Sequence, residues 1–143
     1  MEPKEPIWEA AVNGHWDTVK QWLGQDSSLI AITGDASLDG YEFRGLTLLH
    51  LAAGWNSDVS VLKYLVSHDI DVNIRDDYGM TPLHTAARNN PNVEVLKYLV
   101  SQGADADAKD ITDYTPLYYA CTKEGDRFLR KCIKDLSRHP FSH

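Results

Sequence analysis

Six histidines and two cysteines are the side chains from which a metal or redox centre could be built. His50 and His84 carry the imidazoles a zinc site needs, and Cys121 and Cys132 could act as a redox pair if the chain brought them together. Asp71, Asp76, Asp77, Asp105, Asp107, Asp110 and Asp113 form an acidic run that invites a calcium reading. Its spacing lacks the glutamate that closes an EF-hand loop at the twelfth position. There is no glycine-rich phosphate loop, no GxSxG and no HExxH. Without a nucleophile beside a base, the expectation is a chain with no catalytic residue, no metal and no cofactor.

The elements that must position these residues come from an internal repeat. GLTLLHLAAG starts at Gly45, GMTPLHTAAR at Gly79 and DYTPLYYACT at Asp113, so Thr47, Thr81 and Thr115 recur every 34 residues. VLKYLVS occurs unchanged at Val61 and Val95, the same interval apart. Each unit reads as turn, helix, turn, helix and extended arm. Thr81 is a helix N-cap and Pro82 sits at N1, where a missing N–H is no loss. Leu83, Ala86 and Ala87 follow at helical spacing. Val95, Leu96, Leu99 and Val100 make an apolar stripe on a second helix, and Gly103 supplies its left-handed C-cap. Neither helix can bury its stripe alone, so the units must stack.

The first unit lacks the leading turn but keeps the helix pair, with Val19, Trp22 and Leu23 on the buried stripe. Ala10 to Ala52 is eight residues longer than the later step. The surplus lies in SLIAITGDASLDGYEFRG, which reads as an ordered hairpin with turn signals at Gly34-Asp35 and Asp39-Gly40. In the last helix Phe128, Leu129, Cys132, Ile133 and Leu136 keep an inner stripe, while Arg127, Arg130, Lys131 and Lys134 face outward.

GMTPLHTAARNN followed by VEVLKYLVSQGADADAKD closely resembles the ankyrin-repeat consensus, from about Pro6 to Leu136. The resemblance implies an all-α solenoid of stacked helix-turn-helix units with β-hairpin-like fingers. It also implies one domain over residues 1–143: a helical N-cap with extended finger (6–44), two full units (45–78 and 79–112) and a C-cap (113–138). An extra residue against the usual 33 is placed in the turn at Asn90 or Pro91. His50 and His84 occupy the family's loop-tying histidine position, which makes them structural; Trp8 and Tyr118 replace it in the end units. His15 falls at another family turn position. Cys121 and Cys132 then read as small buried fillers. Leu48 stands where proline is usual, and Asp69 and Asp113 where glycine is usual; aspartate tolerates left-handed backbone better than most residues.

Ankyrin stacks are known for docking proteins on finger tips and the exposed side of each first helix. Carried over by position, this gives Phe43, Arg44, Leu46 and Trp55; Asp77, Tyr78, Met80, Arg88 and Asn89; and Ile111, Thr112, Tyr114 and Lys123, with Val12 and Asn13 from the first unit. Phe43, Trp55, Tyr78 and Tyr114 would form a row across neighbouring repeats, and aromatic residues and Arg dominate interface hot spots. For Phe43 and Trp55 the reading as local core of the long finger stays open. The expected function is a protein-interaction scaffold; the alternatives are an inhibitor or regulatory subunit of an enzyme using the same face, and, remotely, a small stand-alone enzyme.

Composition agrees with a globular chain: 43% hydrophobic and 24% charged. A net charge of −7 argues against nucleic acid or an anionic membrane as partner. Residues 119–143 carry six basic and three acidic side chains, so an acidic body ends in a mildly basic helix. The opening MEPKEPIWEA has no apolar stretch of a signal peptide, and no run approaches a bilayer span. The expected location is cytoplasmic. The expected partner is a protein carrying some positive charge, with the chain itself a monomer or weakly self-associating.

Overall fold

A computed structural model describes residues 5–38, 40–56 and 58–136, with side chains through Ile133. Four helix pairs follow one another: α1 (Ile7–Val12) and α2 (Trp16–Gln25), α3 (Leu48–Trp55) and α4 (Val59–Val66), α5 (Pro82–Asn89) and α6 (Val93–Ser101), α7 (Pro116–Tyr119) and α8 (Lys123–Leu136). The first helices pack side by side in the order α1, α3, α5, α7, and α4, α6 and α8 form a second row. This is the helix-turn-helix solenoid that the repeat requires. Between α2 and α3 lie a 3-10 turn (Ser27–Ala31) and a hairpin of β1 (Thr33–Leu38) and β2 (Tyr41–Thr47). Among the described residues no helix is long and apolar enough to cross a membrane.

The core is built from the repeating positions. Leu49, Leu62, Leu65, Leu83, Leu96, Leu99 and Leu129 are essentially inaccessible, and the alanines Ala52, Ala53, Ala86 and Ala87 let α3 and α5 approach closely. Removing one such leucine side chain costs about 2–5 kcal/mol. Threonine and histidine define where the helices begin. The Thr47 hydroxyl accepts from the His50 backbone N–H, and His50 Nδ1 accepts from the Thr47 N–H at 3.2 Å. Thr81 and His84 repeat the arrangement at 3.1 Å. Two of the free N–H groups at each helix start are thereby satisfied. Tyr118 cannot close such a box, and Thr115 makes no side-chain cap. The first helix of the last pair stops at Tyr119 after 4 residues, where α3 and α5 each run 8.

The same imidazoles tie one repeat to the next. His50 Nε2 donates to the Met80 carbonyl at 2.7 Å, and His84 Nε2 to the Tyr114 carbonyl at 2.9 Å. Trp8 performs the equivalent task in the first unit, its indole N–H donating to the Asp35 carbonyl at 3.1 Å. The fingers are stitched directly as well: the Asp77 N–H donates to Arg44 and the Ile111 N–H to Tyr78, each at 3.0 Å. Gly103 takes φ of 99°, and Asp69 and Asp113 take 63° and 70°, the left-handed backbone expected of them.

Two expectations need correction. Gly34-Asp35 is no turn: both residues lie within β1, and the strand reverses at the Asp39-Gly40 signal, of which Gly40 has φ of 82° and Asp39 lies outside the described residues. Opposite Gly34–Ala36 the pairing slips, because β2 has one more residue than β1 between the pairs Gly34–Leu46 and Ala36–Phe43. Gly45 sits in this bulge with φ of 68°, and its N–H donates to the Asp35 carboxylate at 3.0 Å. Second, Cys121 is exposed and so is no buried filler, while Cys132 is partly buried and packs against the core. The early end of α7 leaves Cys121 outside any helix, its N–H donating to the Ala87 carbonyl at 2.9 Å. Of the fingers, the first is paired as strands among the described residues. The side chains of Lys134 and Leu136, and residues 137 and 138 at the end of the last unit, lie outside the described residues.

Candidate protein-binding groove

The hairpin, the two later finger tips and the ends of α5 and α7 enclose a groove of about 210 Å³. Tyr41, Glu42 and Phe43 line it from the hairpin, Tyr78, Met80, Asp110, Ile111 and Thr112 from the later fingers, and Arg88 and Tyr119 from the helix ends. Six of the residues expected on the binding face are therefore brought together here: Phe43, Tyr78, Met80, Arg88, Ile111 and Thr112.

Their exposure differs from the expectation. Phe43 is 2% exposed and Met80 4%, so both are core side chains that show only an edge to the groove. Leu46 is 0% exposed and leaves the surface altogether. The bulge explains this: in a regular strand positions 43 and 46 face opposite sides, and the extra residue at Gly45 turns both inward. Trp55 is half-buried with its ring edge-on to Phe43 at 5.2 Å, so the pair packs under the long finger. Arg44 is exposed beside Glu42, its guanidinium 3.8 Å from that carboxylate. Asp77 is exposed over Gly45. Asn89 donates to the Thr85 carbonyl. Lys123 lies elsewhere, in a hollow with Cys121, Arg127 and Arg130. Val12 is half-buried, and Asn13 donates to Glu5 at 3.0 Å.

Four tyrosines and one aspartate complete the site, and of these only Tyr114 was marked in advance. Tyr114 and Tyr118 stack face to face with ring centres 3.7 Å apart and planes inclined by 2°. Tyr119 stands edge-on to Tyr118 at 5.3 Å and to Tyr114 at 6.1 Å, joining the stack to the groove. Tyr41 projects from the hairpin tip over the guanidinium of Arg88, 4.1 Å from its ring centre; Phe43 and Tyr119 lie 5.6 and 5.7 Å from the same group. Arg88 is thus held in an aromatic cage.

Beneath the cage, Asp110 accepts from the Thr112 N–H and hydroxyl and from the Tyr114 N–H, while its second oxygen accepts from the Tyr119 hydroxyl. Burial would push this carboxyl up, but the donated hydrogen bonds win and hold it down at about 2. Burial and the bond to Asp110 push the Tyr119 phenol up to about 12. The repeat register carries the signal for Tyr119: it stands 34 residues after Thr85, a position that reads as interior in the third unit.

The groups that suggested chemistry are dispersed. Burial lowers both His50, to about 4, and His84, so each ring is neutral and committed to its loop. His15 meets Glu5 at 2.7 Å on the surface. Among the described residues no group of three or more His, Cys, Asp or Glu side chains could hold a metal ion.

No curated protein matches this chain. The family model described as ankyrin repeats, in three copies, matches residues 7–110 and again 49–138. Stacked helix pairs, the two capping boxes, the histidine ties between loops and this match establish together that the chain belongs to the ankyrin-repeat family.

Proposed function

We propose that this chain is a protein-recognition module that docks its partner in the groove between the hairpin and the two later finger tips. Ankyrin repeats are generally protein–protein interaction modules, and the family is typically non-enzymatic. One observation supports the choice of face. The large hydrophobic residues exposed among those described are Tyr41, Ile111, Tyr114 and Tyr118, at 56%, 69%, 39% and 62%. All four border this groove or stack against its Tyr119 wall. Scattered exposed apolar side chains are ordinary, but a contiguous patch on a soluble fold marks an interaction site. Tyrosine also buries much area while losing little rotamer freedom.

The test uses the residues that are exposed, so that the fold is spared. Tyr41→Ala, Ile111→Ala and Tyr114→Ala together should abolish capture of binding proteins from an extract of the native cells. The melting temperature should fall by only a few degrees. Capture of the same proteins by the triple variant would move the binding face elsewhere.

A further inference from the structure

The partner's chemistry is set by Arg88, the only basic residue lining the groove among the described residues. Its guanidinium face is covered by Tyr41, with Phe43 and Tyr119 nearby, and among the described residues its N–H edge has no hydrogen bond or ion pair. The two acidic residues of the groove are engaged elsewhere. Asp110 is satisfied by Thr112, Tyr114 and Tyr119, and Glu42 lies beside Arg44. An arginine stacked on an aromatic ring keeps its fork in a fixed plane, which suits bidentate binding of a carboxylate.

Resting on the groove as the docking face, we infer that it recognises a peptide segment presenting one Asp or Glu side chain beside an apolar residue. The carboxylate meets the N–H edge of Arg88, and the apolar neighbour packs between Tyr41 and Ile111. A free chain terminus is a poorer occupant, because capture of a terminal carboxylate draws on a nest of backbone N–H groups. Here those groups are used internally: Asp77 to Arg44, Tyr78 to Asp76, Ile111 to Tyr78 and Thr112 to Asp110. A strongly acidic segment is disfavoured by the chain's own charge of −7, so one carboxylate among apolar residues fits best. This reverses the expectation of a partner carrying some positive charge: of the charged side chains lining the groove, Asp110 and Glu42 have partners, whereas Arg88 has none among the described residues.

A displayed library of random twelve-residue peptides, selected against the whole chain, tests the assignment. Peptides that lose binding to the Tyr41→Ala, Ile111→Ala, Tyr114→Ala variant should share an Asp or Glu next to a large apolar residue. Changing that acid to Asn or Gln, or Arg88→Gln in the protein, should weaken binding about tenfold to a hundredfold. Arg88→Glu should redirect selection to Lys- or Arg-bearing peptides. Should that variant not fold, the peptide substitutions against the unaltered chain decide alone. Groove-bound peptides that are uncharged or basic, or affinities unmoved by removing the acid, would overturn the inference while leaving the groove as docking face. Peptides that bind equally to the triple variant would instead count against the docking face.

Discussion

Asp76 and Asp110 stand one repeat apart and cap their turns alike, yet only Asp110 has a donor for its second carboxylate oxygen. Each accepts, through Oδ1, the N–H groups two and four residues onward at 2.9–3.0 Å. At Asp110 the Tyr119 hydroxyl satisfies Oδ2; the buried Oδ2 of Asp76 has no partner among the described residues. The residue corresponding to Tyr119 is Thr85, whose hydroxyl is shared between the Pro82 and His50 carbonyls. One sequence position therefore has two electrostatic characters.

Burial pushes the Asp76 carboxyl up to about 6, against the N–H bonds from Met80 and Tyr78 and with help from the charges of Asp77 and Asp110. A carboxyl whose folded pKa is raised stabilises the fold fully below its unfolded value near 3.8, and that contribution fades as pH rises through 6. Asp76→Asn removes this dependence. Between pH 4 and pH 7 the variant should gain about 1–3 kcal/mol relative to the parent chain. Urea unfolding at both pH values measures the difference, and parallel stability curves would refute it.

His50 works in the opposite sense over the same range. Burial lowers it from 6.5 to about 4, outweighing the Met80 carbonyl, with a further push from His84. Its contribution is complete above pH 6.5 and is lost as pH falls through about 4, up to about 3 kcal/mol. His50 and Asp76 thus offset one another between pH 4 and 6, and the parent's stability should be flatter there than either variant's. His50→Gln should leave the rise due to Asp76 unopposed, so that acidification from pH 6 to 4 stabilises the variant relative to the parent. The His50 ring protons, followed by NMR, should titrate near 4; a midpoint above 6 would contradict the buried, neutral ring.

Two glycines separate backbone conformation from helix propensity. At Gly45 an added Cβ would lie 2.2 Å from the Asp77 carboxylate, on a backbone with φ of 68°. Gly45→Ala should cost about 1–3 kcal/mol and loosen the bond between Asp77 and Arg44. Gly24, within α2, has open space around its Cβ, so Gly24→Ala should stabilise by about 0.5–1 kcal/mol. Thermal melts of the pair should move in opposite directions. A shared direction would mean that the finger bulge is not held as described.

The helices were legible because their determinants are local or periodic. Thr81, Pro82, Leu83 and Gly103 announce their roles through spacing alone, and every such role is present in the fold. The hairpin's existence could be read from the surplus length and its Asp39-Gly40 signal. Its register could not. One bulge residue decides whether Leu46 faces solvent or core, and Gly45 resembles any other finger glycine until its pairing is known. Tyr41 and Tyr119 were missed for a related reason: each enters the groove through geometry peculiar to its unit, the long hairpin and the shortened α7, which an averaged repeat does not contain. Cys121 was misplaced by the same averaging, since the second alanine position of the other repeats lies inside a helix and here does not.

Asn90, the turn residue suggested to lengthen the repeat, joins units rather than merely filling a loop. Only 3% exposed, it donates through Nδ2 to the Ala53 carbonyl at 2.8 Å and the Asn56 carbonyl at 2.9 Å, and its Oδ1 accepts the Asn92 N–H at 2.9 Å. Asn90→Ala removes all three bonds and strands two carbonyls and one N–H, at a cost of about 2–4 kcal/mol. Asn90→Asp keeps the shape and the Asn92 bond but turns a carboxylate oxygen towards two carbonyl oxygens. At pH 7 it should therefore be at least as destabilising as alanine, despite its near-identical volume. Acidification to pH 4 should restore part of the loss, because a protonated carboxyl can donate to one of the two carbonyls. Chemical denaturation of both variants at the two pH values distinguishes this from simple turn propensity, on which aspartate and asparagine would differ little. Equal stability of Asn90→Asp and the parent at pH 7 would show that the side chain's donors do not hold the repeats together.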